Sequence, residues 1–139
     1  MSEINFSELN AGDAIPELVT PNVSRSQLAL FAGASGDHNP IHLDDEEAKK
    51  GGLPGVIVHG MLSMALLGRV LTNWVPQHQL RGWNARFVSM AFPGDTITCK
   101  GVITETTIEN DENRVKLDIS VENQKGDNIL VGTADIAII

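Results

Sequence analysis

The 139-residue sequence lacks features on which several classes of protein depend. Its single cysteine, Cys99, excludes a disulfide framework and a multi-cysteine metal site, and it suits a reducing compartment. Only 10 basic residues accompany 18 acidic ones, so the formal net charge is −8 and the pI is near 4.8. General nucleic-acid binders need a cationic face to displace phosphate counterions. We therefore expect no nucleic-acid partner.

Long apolar runs are also missing. The sequence has no stretch of about 18 charge-free apolar residues, which a membrane span requires, and no basic segment followed by an apolar one, as in a signal peptide. We therefore expect no membrane partner and a cytoplasmic location. No repeat or Gly/Pro-rich linker divides the chain, and its length suits one domain, so residues 1–139 are interpreted as a single domain.

The charge is unevenly distributed along the chain. Residues 1–47 carry nine acidic residues and one arginine, and residues 95–139 carry nine acidic and four basic residues. The middle third, residues 48–94, carries five basic residues and no acidic residue. An anionic partner can therefore be attracted to the middle third despite the overall negative charge.

The hydrophobic pattern predicts helices first and strands afterwards. Helices are predicted over 24–36, 44–51 and 60–75, and the last of these is apolar on almost every side, as in a core helix. Residues 14–23 are predicted to be extended, and four later segments, 85–92, 96–108, 114–123 and 129–139, have β character with turn residues between them. Such a succession predicts an α+β fold in which hairpin-linked antiparallel strands wrap around the buried helix.

Acid–base chemistry is indicated by a short loop after the first predicted helix. The loop reads GDHNPIH and contains Asp37 and His42, and His59-Gly60 follows at the start of the buried helix. Pro40 fixes its own backbone and restricts Asn39, so a carboxylate and an imidazole five residues apart can converge on one small molecule. Each residue taken alone has a plain alternative, a turn aspartate and a hydrogen-bonded loop histidine.

The two motifs FAGASGDHNPIH and VHGML resemble the signature of the MaoC-like, or hydratase 2, family. These are hot-dog-fold (R)-specific enoyl-thioester hydratases and (3R)-hydroxyacyl-thioester dehydratases. Within the family, the sequence resembles in particular the (3R)-hydroxyacyl-ACP dehydratase B subunit of mycobacterial type. The likeness extends over most of the chain.

This resemblance implies roles for particular residues. Asp37 and His42 would form the catalytic dyad, Asn39 would orient the loop or the dyad, and the backbone amide of Gly60 would face the thioester carbonyl. Ser63 could support the site, or its hydroxyl could bond back to a helix carbonyl. His59 is expected to pack behind the loop. Neither a metal nor a cofactor is expected.

The implied function is reversible, cofactor-independent dehydration of (3R)-3-hydroxyacyl thioesters to trans-2-enoyl thioesters in fatty-acid metabolism, a hydro-lyase reaction. A hot-dog acyl thioesterase is an alternative, although it needs no such paired loop. A non-catalytic or partner-dependent subunit of a heterodimeric dehydratase is another, although such a subunit has no need of the dyad.

The expected partners are an acyl carrier and a second hot-dog chain. The carrier is acyl-CoA or acyl-ACP, both anionic, so basic residues of the middle third are candidates for its entrance, or else simple solvated charges: Arg81, Arg86, Lys49 and Lys50. The resemblance implies a homodimer or a heterodimer with a hot-dog homologue. An apolar last strand, 133–139, would be prone to aggregate if it were left bare at an edge.

Overall fold

The computed structural model describes residues 4–139. It contains three α-helices, α1 (Arg25–Ser35), α2 (Asp45–Lys50) and α3 (Gly60–Trp74), and three 3₁₀ turns, Phe6–Glu8, Pro40–His42 and Gln77–Gln79. Five strands complete the fold: β1 (Leu18–Thr20), β2 (Leu80–Phe87), β3 (Ile97–Glu109), β4 (Glu112–Glu122) and β5 (Asn128–Ile138). Within the described residues, no helix is both long and apolar enough to cross a bilayer.

The strands form one antiparallel sheet in the order β1-β3-β4-β5-β2. Helix α3 packs against its inner face and contacts β1, β3, β4 and β5. Along β4 the apolar residues Val115, Leu117, Ile119 and Val121 are buried, while the residues between them point to the outer face. The predicted α+β arrangement, an antiparallel sheet around a buried helix, is confirmed.

The first helix begins and ends where local chemistry requires. The Ser24 hydroxyl accepts a hydrogen bond from the Gln27 amide at 3.1 Å, which caps the amino end. Gly36 ends the helix in the left-handed conformation, with φ 78°, where a side chain would be strained. This turn releases the chain into the loop that contains Asp37 and His42.

The first of the four strands predicted after the buried helix, 85–92, was misplaced, and its connection differs from the prediction. Strand β2 covers Leu80–Phe87 instead of 85–92 and pairs with β5, so it is not a hairpin partner of β3. The turn predicted at 92–95 exists, with the Asp95 amide bonded to the Phe92 carbonyl at 3.0 Å. It forms part of a crossover, because Gly94 and Asp95 exchange backbone hydrogen bonds with Val23.

Candidate active site

The loop that follows α1 is held by its own side chains. The Asp37 carboxylate accepts a hydrogen bond from the Asn39 amide, and the Asn39 side-chain oxygen accepts one from the Ile41 amide, both at 3.2 Å. Asn39 thereby caps the 3₁₀ turn Pro40–His42, and Pro40 occupies the first position of that turn. Asn39 thus shapes the loop, and among residues 4–139 its side chain makes no hydrogen bond to the His42 ring.

The structure brings Asp37 and His42 together. His42 Nδ1 lies 2.8 Å from the Ile57 carbonyl oxygen, which can only accept, so Nδ1 carries the proton. His42 Nε2 therefore presents its lone pair, and it faces Asp37 Oδ2 at 3.6 Å. That separation is too long for a direct hydrogen bond, and an atom to one side of the pair can lie within hydrogen-bond distance of both groups. The Asp37 side chain is 42% exposed and that of His42 only 8%, so the pair opens to solvent on the carboxylate side.

His59 lies directly behind this pair and has no exposed surface. Its Nε2 donates to the Asp37 backbone carbonyl at 3.2 Å, and its ring stacks on that of His42 with centroids 3.9 Å apart. The Phe31 ring meets it edge-on at 4.9 Å. Burial lowers the pKa of His59, and the neighbouring His42 lowers it further. Within residues 4–139, His59 Nδ1 has no hydrogen-bond partner, and an unpaired buried polar atom costs about 1–3 kcal/mol.

Helix α3 begins at Gly60, one residue after His59. The first amides of an α-helix have no intrahelical acceptor and carry the positive end of the helix dipole, so the Gly60 N–H is a donor for developing negative charge. The half-exposed Phe87 ring lies against this glycine, 2.9 Å from the position of an added β-carbon. Ser63 lies one turn further along and is buried.

Asp37, His42 and His59 also form a cluster of three groups with metal-ligating atoms, which lie within 4.8 Å of one another. The sequence spacing did not indicate this cluster. The two imidazole planes are only 22° apart and stacked, so their in-plane lone pairs run nearly parallel. An ion at about 2.0–2.1 Å from both rings would lie far outside both ring planes, which disfavours zinc-type ligation.

Most of the predicted carrier-binding cations are already paired. Arg81 donates to the Glu112 carboxylate at 2.9 Å, and Lys49 and Lys50 pair with the acids three residues earlier at 3.3 and 2.6 Å. Arg86 makes no ion pair within the part of the chain that the structure describes. It lines a groove of about 640 Å³ on the outer face of the sheet, together with Lys100 and Asp118. Three of the four cations therefore already have acidic partners.

Comparison with known proteins assigns the chain to a family. A family model described as the MaoC-like domain matches residues 10–125. The chain belongs to the MaoC-like dehydratase family. This MaoC-like chain is 30% identical, over 132 residues, to fatty acid synthase subunit beta of Saccharomyces cerevisiae, a match that covers 93% of this chain and 6% of that protein.

Two further relatives are comparable in size with this MaoC-like chain. It is 29% identical to the mitochondrial 3-hydroxyacyl-[acyl-carrier-protein] dehydratase of Arabidopsis thaliana, over 88% of this chain and 72% of that protein. The unliganded R-hydratase PhaJ1 of Pseudomonas aeruginosa has a TM-score of 0.83 and 31% identity, over 98% of this chain and 86% of that one. The predicted family, hot-dog fold and hydro-lyase class of the domain are confirmed.

Proposed function

We propose that the protein interconverts (3R)-3-hydroxyacyl thioesters and trans-2-enoyl thioesters without a cofactor, with Asp37 and His42 as its acid–base pair. The 3.6 Å gap between His42 Nε2 and Asp37 Oδ2, open to solvent on one side, carries this proposal. Two proton-exchanging groups that share one gap can act on neighbouring atoms of the same molecule.

Dehydration requires two proton transfers, one at C2 and one at the hydroxyl oxygen on C3. One member of the pair removes the proton from C2, and the electrons of that C–H bond form the C2–C3 double bond. The other member starts the reaction protonated, and the hydroxyl leaves C3 as water after it receives that proton. Each such transfer contributes about 10²–10⁴-fold to the rate. The pair ends with the same total of protons, so no further reactant is needed.

The Gly60 amide supplies the third part of the proposed site. Removal of the C2 proton builds negative charge on the thioester carbonyl oxygen, and the free N–H at the start of α3 can donate to it. One such donor contributes about 3–4 kcal/mol to the stabilisation of a transition state. Glycine at this position allows the Phe87 ring to approach the start of α3 closely, because a side chain here would meet that ring.

Hydration of crotonyl-CoA tests the proposal. The unmodified protein should remove the enoyl absorbance without releasing a free thiol, and Asp37→Asn and His42→Ala should each lower turnover at least about 10²-fold while remaining folded. His38→Ala is the matched control, since His38 is an exposed histidine in the same loop. Thiol release would indicate a thioesterase, and full activity in either folded dyad variant would refute the assignment.

A nucleophilic cysteine is not part of this proposal. Burial raises the pKa of the Cys99 thiol to about 12, so it stays protonated at neutral pH. The buried, free thiol fits a reducing compartment, and we retain the cytoplasm as the proposed location.

We further propose that CoA or an acyl carrier protein presents the substrate and that a second hot-dog chain covers one edge of the sheet. Strand β2 is an edge strand, and half-exposed apolar side chains follow at its end: Phe87, Val88 and Met90. Unpaired edges of this kind are templates for pairing with another chain. Light scattering of the protein expressed alone distinguishes a stable homodimer from a chain that needs a homologous partner.

A further inference from the structure

The buried imidazole of His59 takes no part in the proton transfers proposed above. Its ring is completely buried, yet Nδ1 has no hydrogen-bond partner among residues 4–139. An apolar side chain of similar volume would avoid the unpaired Nδ1 but would leave the Asp37 carbonyl without the donor that His59 supplies. The unpaired Nδ1 is therefore a cost of using an imidazole as that donor, and an unsatisfied buried group calls for an explanation.

The contacts of His59 reach both members of the proposed dyad. Its Nε2 lies 3.2 Å from the Asp37 carbonyl oxygen, which can only accept, so Nε2 carries the proton and Nδ1 the lone pair. Its ring lies flat on the His42 ring, with centroids 3.9 Å apart and planes 22° apart. His59 thus joins the main chain of one dyad residue to the ring of the other.

His59 is also attached to the start of α3. It is the residue immediately before Gly60, and its own carbonyl accepts hydrogen bonds from Leu62 at 3.0 Å and Ser63 at 3.3 Å. A displacement of the ring would therefore move the first turn of α3 relative to Asp37 and His42. Misplacement by about 1 Å can reduce a reaction rate by about 10²-fold.

The charge of His59 matters because His42 changes its charge during turnover. The groups that face the His59 ring are the His42 ring, the Asp37 carbonyl and carboxyl, and the edge of the Phe31 ring. Burial and the neighbouring His42 both lower the pKa of His59, which keeps its ring neutral. A neutral ring can lie against an imidazolium favourably, whereas a protonated one would repel it.

We propose that His59 is a positioning residue whose neutral ring, anchored on the Asp37 carbonyl, holds the His42 ring and the Asp37 main chain in register with the Gly60 amide. The inference rests on the dyad proposed above and assigns His59 no contact with substrate.

Two substitutions separate the contributions of the ring and its hydrogen bond. His59→Phe keeps a ring but removes the donor, and His59→Gln keeps a donor but removes the ring. Each should lower kcat about 10–100-fold while KM changes less than about threefold. The same substitutions at His78, an exposed histidine of the turn Gln77–Gln79, should change neither constant. A structural role alone would lower the melting temperature and leave kcat of the folded protein unchanged, which would overturn the proposal.

A second measurement needs no variant. A nitrogen-15 NMR titration of the unmodified protein should show His59 protonated on Nε2 and neutral from pH 8 to 6.5, and neutral His42 protonated on Nδ1. Protonation of neutral His59 on Nδ1, or a charged His59 in that range, would overturn the proposal even if both His59 variants failed to fold. Full turnover in Asp37→Asn and His42→Ala would instead refute the dyad while leaving the measured tautomers unchanged, so the two failures are distinguishable.

Discussion

Charged side chains are directly paired on the outer face of the sheet, whereas the acid and the imidazole in the loop beside α3 are not directly paired with each other. On the sheet, Arg114 donates to Asp135, and Lys116 pairs with Glu109 at 2.9 Å. Beside α3, Asp37 Oδ2 and His42 Nε2 lie 3.6 Å apart, which is too far for a direct hydrogen bond. We interpret this difference as one between scaffold and proposed chemistry, because a charge in a close ion pair is held in place, whereas a charge without such a pair remains available for a proton or a substrate.

The same contrast appears in the close contacts of two glycines. A β-carbon on Gly132, in β5, would lie 1.9 Å from the Asn84 carbonyl oxygen of β2, so the two strands would have to separate. A β-carbon on Gly60 would meet the Phe87 ring at 2.9 Å, and that ring is half exposed and can turn aside. Gly132 is therefore required by the pairing of two strands, whereas the contact at Gly60 involves only a side chain that can move.

The largest effects are expected from alanine at these two positions. Gly132→Ala should lower the free energy of unfolding by at least about 2–3 kcal/mol, because backbone at this contact must shift. Gly60→Ala should leave stability within about 1 kcal/mol and lower kcat/KM about 10²-fold or more, because the methyl group obstructs the amide donor. Urea unfolding and crotonyl-CoA hydration measure the two effects, and each variant is the control for the other.

The comparison of the two glycines would be contradicted if their effects on stability and activity were exchanged. If Gly60→Ala unfolded the chain, or if Gly132→Ala remained stable but inactive, the close contacts would not separate the two regions. A folded Gly60→Ala variant with normal kcat/KM would remove the Gly60 amide from the proposed site.

A smaller change in the free energy of unfolding is expected as the pH falls, in two separate pH windows, one set by His59 and the other by Glu112. The pKa of His59 is lowered by burial from 6.5, so the unfolded chain binds more protons there and stability falls as pH drops below about 6.5. The pKa of Glu112 is lowered from 4.5 by its hydrogen bond to Arg81, so its contribution is lost only as pH falls below about 4.5. Urea unfolding between pH 8 and 3.5 measures both windows.

Substitutions show which residue causes the loss of stability in each pH window. His59→Phe should remove the loss below about pH 6.5. Glu112→Gln should reduce the loss below about pH 4.5 without altering the one at higher pH. Stability that stays constant between pH 7 and 5 would show that His59 is not held neutral by the fold.

Local chemistry made part of this structure predictable. The first helix was correctly predicted because Ser24 and Gly36 act on amides within a few residues of themselves. Strand β2 was misplaced because its first residues include Gly82, where the pairing with β5 shifts register, and show no clear alternation. Its partner lies about fifty residues away in sequence, and such pairing depends on tertiary packing that no local pattern records.

The proposed site likewise combines residues that local motifs predict with contacts that only tertiary packing creates. Asp37, His42 and Gly60 could be chosen from their motifs, but the stacking of His59 on His42 arises only when α3 folds back onto the loop. The pairing of Arg81 with Glu112, 31 residues away, was likewise invisible in the sequence and removes Arg81 from the free cations. The adjacency of His59 to Gly60 was the one available signal for its position.

The smallest effect concerns the carrier and compares two arginines of the same strand. Arg86 has no carboxylate partner in the described chain and lies one residue from Phe87, at the edge where a long carrier could pass around the sheet. Arg86→Gln should raise KM for crotonyl-CoA or crotonyl-ACP about threefold to tenfold, more at low salt, and leave kcat unchanged.

Arg81→Gln should instead lower the melting temperature by a few degrees and leave KM unchanged, because it breaks only the pair with Glu112. Equal KM values for the Arg86 variant and the unmodified protein on both carriers would exclude this arginine, and a KM increase in the Arg81 variant would reassign carrier binding to the paired charges of the sheet.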